Sequence, residues 1–187
     1  VVVVDLADKR VVRSISLPAG TAPHGARITS DGRTLVIAGM GDGSLQVIET
    51  SSGSVTSYDL PGRAVQTALL PDGSAAFATI YDTRQVARLN LATHEVTLFD
   101  LPDASAGPVQ LYPAPNGQSL WIADQGMLEG QPAGNKLVQL DAASGDVLQG
   151  GIDPGGRPFG AVVSIDGRGG VTLHFPAAAS AAPALGK

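Results

Sequence analysis

The amino-acid sequence predicts an all-β chain, a β-propeller of four-stranded antiparallel blades. Three observations predict it. A tight-turn dipeptide recurs at Asp31-Gly32, Asp72-Gly73, Asn116-Gly117 and Asp166-Gly167, spaced 41, 44 and 50 residues apart. Apolar runs end in Asp5, Glu49, Asn90 and Asp141, and each is followed six residues later by a valine: Val11, Val55, Val96, Val147. Leu17-Pro18, Leu60-Pro61 and Leu101-Pro102, with Ile152-Asp153-Pro154 as a looser fourth, mark the same register. A repeat of this length is the signature of a propeller or solenoid.

Each unit divides into four strand-length pieces, a to d. In the first, a is 24–30, b is 34–40, c is 45–49 and d is 55–60. Asp31-Gly32 links a to b, and Thr50-Ser51-Ser52-Gly53 links c to d, both with hairpin chemistry. The b pieces Leu35-Val36-Ile37-Ala38, Ala76-Phe77-Ala78-Thr79 and Leu120-Trp121-Ile122-Ala123 are apolar at successive positions, so both faces must be covered. Radial stacking of small sheets supplies that cover. The d pieces, such as Ser54-Val55-Thr56-Ser57-Tyr58, are mixed, as an outer edge requires. No segment holds a 3.6-residue period with caps, so no helix is expected. A β-sandwich would not need the same four-strand cassette at a fixed period.

The units run 18–60, 61–101 and 102–152. The ends supply the rest: 153–175 gives a and b, and 1–17 gives c and d, together one composite blade. Four blade equivalents can close on themselves, share an eight-bladed ring with a second chain by self-association, or form part of a larger ring. Val1 begins inside a strand with no initiator Met or signal peptide, which points to a removed segment or a piece of a longer chain. The tail 176–187 has too little apolar bulk to pack and is expected to be disordered.

Composition narrows the function. A net charge of −5 and no Lys/Arg cluster exclude nucleic acid as a partner. No apolar run is long enough to span a membrane as a helix. The absence of cysteine removes disulfides, thiolate catalysis and iron–sulfur clusters. There is no Gly-x-Ser-x-Gly elbow, phosphate loop or dinucleotide fingerprint.

The stretch Gly20-Thr21-Ala22-Pro23-His24-Gly25, with Ser30-Asp31-Gly32-Arg33-Thr34-Leu35-Val36-Ile37-Ala38, resembles the YVTN-type β-propeller repeat. Arg157-Pro158-Phe159-Gly160 with Asp166-Gly167 matches its first half. Pro115-Asn116-Gly117-Gln118-Ser119-Leu120-Trp121-Ile122-Ala123 and Asn135-Lys136-Leu137-Val138-Gln139-Leu140-Asp141 are similar to the streptogramin (virginiamycin B) lyase branch of the same superfamily. The resemblance covers nearly the whole chain to Phe175. It implies a periplasmic or secreted propeller acting as a binding or interaction scaffold. The alternatives it implies are a lyase- or lactonase-like enzyme and a structural part of a larger assembly.

With blades running a to d outward from a channel, the d–a and b–c loops share one rim. That rim carries His24, Asp42, Asp82, Arg157 and the long loop 124–134. Aligning the b strands places Gly39, Ile80, Asp124 and His174 at one equivalent position. His24, His174 and Glu129 are the candidate catalytic residues, since imidazoles beside carboxylates suit acid–base work. Asp82, Asp124, Arg157, Gln66 and Gln110 are the candidate ligand-binding residues; the two glutamines stand on inner strands, one past the His24-equivalent position. Asp124 and Glu129 are the candidate ligands for a divalent metal, calcium or magnesium. The partner expected at the mouth is a small molecule or a protein. His94, in a c–d turn on the opposite face, is read as merely solvated. Asp5, Glu49 and Asp141 are read as acceptors for the turn that follows each.

Overall fold

The computed structural model describes residues 1–102, 107–125 and 136–153, with the backbone of the strand residues at 157–158, 162–165, 171–174 and 177–178. It is a β-propeller. Blade one is β3 (Pro23–Ile28), β4 (Thr34–Gly39), β5 (Ser44–Glu49) and β6 (Val55–Asp59). Blade two is β7 (Ala64–Leu69), β8 (Ala75–Ile80), β9 (Gln85–Asn90) and β10 (Val96–Asp100). Blade three is β11 (Pro108–Pro113), β12 (Ser119–Asp124), β13 (Lys136–Asp141) and β14 (Val147–Ile152). Each is an antiparallel meander in sequence order, the repeated cassette read from the chain. No helix occurs among the described residues.

The ends add two-stranded sheets. β1 (Val2–Asp5) pairs with β2 (Arg10–Ser14), and β16 (Val162–Ile165) with β17 (Val171–His174). β15 (Arg157–Pro158) pairs with β18 (Ala177–Ala178), so part of the expected disordered tail is paired; the rest of 176–187 lies outside the described residues. Val2, Val4, Val11 and Val12 of the first hairpin are exposed.

The apolar b strands are buried as their composition requires: every residue of β8 and of β12 is buried. Phe77, Phe99, Leu111, Leu120 and Ile122 form a core between blades two and three. Between blades one and two the core is smaller in side chain, with Ala38, Ala64, Ala76, Ala78 and Ala87 around Val36, Leu45, Ile80 and Leu89. Small residues allow these two blades to stack closely.

The turns repeat as faithfully as the strands. Gly32, Gly73 and Gly117 hold φ of +73°, +73° and +71° at the a–b turns, the left-handed geometry that favours glycine. At the c–d turns, Lys9, Gly53, His94 and Gly145 occupy one equivalent left-handed position. Asp5, Asn90 and Asp141 each accept two backbone N–H bonds there. Those bonds hold the Asp141 carboxyl below the usual carboxylate range. Glu49 differs: it accepts from the hydroxyls of Ser51 and Ser52 rather than from backbone.

Three outer strands, β2, β6 and β10, reach the next blade's c–d turn. Arg13 on β2 donates to the carbonyls of Thr50, Ser51 and Ser52 beside Gly53. Tyr58 on β6 hydrogen-bonds His94 and stacks on its ring. Phe99 on β10 lies where a Cβ on Gly145 would overlap its ring. His94 is thus exposed, as expected, but it also bridges two blades through Tyr58. That contact accompanies a histidine where the two neighbouring blades place glycine.

Candidate functional site

The inner strands β3, β7 and β11 stand side by side and line the channel. Each carries a β-bulge near its start, between Pro23 and Ala26, Ala64 and Thr67, and Pro108 and Gln110. A bulge re-aims the side chains it contains. The re-aimed residues include His24, Val65 and Val109, at equivalent positions. They meet Met40, Tyr81 and Gln125, which are also equivalent, each one residue past the end of its b strand. Together with Arg63 and Gln110, these six line a cavity of about 220 Å³ at the rim shared by the d–a and b–c loops. A second opening, about 270 Å³, lies at the other end of the same strands, between Ile28, Leu69, Leu70 and Tyr112.

The polar groups of the first cavity have their hydrogen-bonding sense fixed by the backbone of blade two. His24 Nδ1 lies 2.8 Å from the Val65 carbonyl. A carbonyl only accepts, so Nδ1 carries the proton. In the neutral ring Nε2 is then a bare acceptor. Two residues along, the Thr67 N–H donates to Gln66 Oε1 at 3.0 Å. This identifies the other end of that amide as the donor, and Gln66 Nε2 donates to Gln110 Oε1 at 3.1 Å. The Tyr112 hydroxyl donates to the same oxygen at 3.3 Å. Gln110 therefore has its carbonyl end committed, and its amide nitrogen takes no partner among the described residues. The approach of blade one to this relay depends on Gly25, where an added Cβ would come within 2.7 Å of Gln66 Cα.

Arg63 supplies the cavity's permanent positive charge, and Asp82 compensates it. The guanidinium donates to both Asp82 oxygens, at 2.5–3.1 Å, and the Arg63 backbone N–H adds a bond of 2.8 Å. The Arg63 hydrogen bond holds the Asp82 carboxyl below its ordinary range. Arg63 also lies 5.2 Å above the Tyr81 ring, within cation–π range. Asp82 is not itself a lining residue, so this compensation comes from behind the cavity wall.

The structure brings His24 and Gln110 into the cavity, with Gln66 and Asp82 directly behind it. Asp124 is wholly buried at the end of β12, beside Gln125. Arg157 begins β15 and His174 ends β17, but only their backbone is described. Glu129 lies outside the described residues. Among the described residues, no group of three or more His, Asp or Glu could hold a metal ion.

Arg63, Tyr81, Met40, Val65, Val109 and Gln125 are not among the site candidates drawn from the sequence, although Gln125 lies in the loop 124–134 placed on that rim. The repeat register contained the signal for five of them. The equivalent positions of His24 give Val65 and Val109, and one step past Gly39, Ile80 and Asp124 gives Met40, Tyr81 and Gln125. Nothing comparable marks Arg63.

No family model matches the sequence, and no curated protein matches it. Solved structures do. The chain superimposes on Kuenenia stuttgartiensis hydrazine synthase with a TM-score of 0.73 at 16% identity, covering 92% of this chain and 48% of that one. It superimposes on virginiamycin B lyase from Staphylococcus aureus with a TM-score of 0.67 at 19% identity, covering 89% and 60%. A streptogramin B lyase structure gives 0.67 at 17% identity, covering 93% and 60%. The chain thus spans 48–60% of the length of these neighbours. At such identities the likeness is one of fold.

Proposed function

We propose that the protein is a YVTN-like β-propeller binding scaffold that takes a small ligand at the channel mouth. The observation that carries this reading is the cavity itself. Three blades contribute equivalent positions to it, apolar at Met40, Val65 and Val109, with oriented polar groups at His24 and Gln110. A largely apolar concavity with a few convergent polar groups is the usual form of a small-molecule site. Indole, added to the ¹⁵N-labelled protein, is expected to shift the backbone amides of Met40, Val65 and Val109. Val109→Trp, which fills the cavity, should abolish those shifts while leaving the circular dichroism spectrum unchanged. Shifts scattered over the surface, or none at these residues, would sink the reading.

A second reading is an enzyme, lyase- or lactonase-like, with a divalent metal at the mouth. The bare acceptor at His24 Nε2 favours it, since such a nitrogen can act as a general base. Two of the similar structures are named as lyases of virginiamycin B or streptogramin B. Virginiamycin B incubated with the protein and Mg²⁺ or Ca²⁺ discriminates: consumption dependent on His24 supports the enzyme, and intact antibiotic removes it.

A further inference from the structure

We propose that the channel mouth selects an uncharged carboxamide carried on an apolar body. The proposal rests on the binding reading above and specifies the chemistry of its ligand.

Three features lead to it. The first is the pairing of senses. His24 Nε2 offers an acceptor, because Nδ1 is occupied by the Val65 carbonyl. Gln110 offers donors, because its oxygen is occupied by Gln66 Nε2 and the Tyr112 hydroxyl. One acceptor and one donor group on the same cavity match a group that itself presents both. A carboxamide does so: its carbonyl accepts from Gln110 while its N–H donates to His24. A carboxylate has no donor for His24, and an amidinium has no acceptor for Gln110.

The second feature is charge. Arg63 is the lining residue with a permanent charge, and its hydrogen bonds to Asp82 compensate it. A charged ligand would lose hydration on entry without finding a free counter-charge among the lining residues, whereas a neutral amide exchanges hydrogen bonds nearly evenly. The third is the wall. Met40, Val65, Val109 and the Tyr81 ring give apolar surface to the rest of the ligand.

The polarity is built in, not incidental. It originates at two backbone groups of a single bulge, the Val65 carbonyl and the Thr67 N–H. They lie on either side of Gln66. One sets the sense of a side chain from blade one, and the other sets that of a side chain from blade three.

The test uses three probes of one shape: benzamide, benzoate and benzamidine. They are titrated into the labelled protein at mildly alkaline pH and read at the His24 ring and the Gln110 side-chain amide. Benzamide is expected to bind at least about tenfold more tightly than either charged analogue, the discrimination of a site that would leave polar groups unpaired with the wrong ligand. Gln110→Glu keeps an oxygen for Gln66 and Tyr112 but replaces the donors with a negative acceptor. It should reverse the order, so that benzamidine outbinds benzamide. Benzoate or benzamidine matching benzamide on the wild-type protein would overturn the ligand class while leaving the site in place. An unchanged order in Gln110→Glu would do the same. If none of the probes, nor indole, perturbs the mouth, the binding reading falls as well.

Discussion

Gly25→Ala is expected to destabilise the protein by about 1–3 kcal/mol, the usual cost of overpacking. It should also weaken any binding at the channel mouth. A Cβ at this position would meet the Cα of Gln66 at 2.7 Å as well as its side-chain amide. A flexible side chain could swing away, but backbone cannot, so β3 and β7 would have to separate. Those strands carry His24 and Val65, whose hydrogen bond crosses between the blades. A double substitution checks the cause. Adding Gln66→Ala to Gly25→Ala removes the amide from the clash but leaves the Cα, so stability should not return. Recovery in the double variant, measured by urea denaturation, would mean that side-chain crowding alone was responsible.

Phe77→Ala should cost more, about 3–5 kcal/mol, as a fully buried aromatic truncated in a packed core. Phe77 has no exposure and sits in the cluster joining blades two and three with Phe99, Leu111 and Leu120. Nothing nearby is free to collapse into the space, because β8 and β12 are buried along their whole length. For a chain of this size the loss corresponds to a fall in melting temperature of roughly 6–20 °C. It would remove a large part of the few kcal/mol that hold an ordinary domain folded. A change within a degree or two would show that this interblade core is not essential to stability.

The fold was legible because the residues that specify it act locally. Asp-Gly dipeptides mark the a–b turns, and runs such as Ala75–Ile80 mark strands that need cover on both sides. Asp5 and Asp141 announce their turns because the carboxylate bonds to N–H groups only two and three residues ahead. The site was legible only in outline. The sequence puts His24 and Asp82 on one rim and Gln66 and Gln110 on inner strands; the structure sets His24 and Gln110 in the lining of one cavity, with Gln66 and Asp82 bonded to lining residues.

Its chemistry was not legible, because the deciding partners are distant in sequence. Val65 is 41 residues from His24, and Gln110 is 44 residues from Gln66. The bulges that aim these side chains leave no mark in residues as ordinary as Val65-Gln66. The Tyr58 contact of exposed His94 is hidden from the sequence for a related reason. Its position belongs to a turn, and only the blade next to it supplies Tyr58.

The central claim is that the backbone of blade two fixes the sense of the channel mouth. Long-range ¹H–¹⁵N correlation of the His24 ring, in the wild-type protein at mildly alkaline pH, tests it most directly. The account predicts a protonated Nδ1 and an unprotonated Nε2. A ring with its proton on Nε2 would contradict it, since His24 would then offer a donor to the cavity and the match to a carboxamide would be lost.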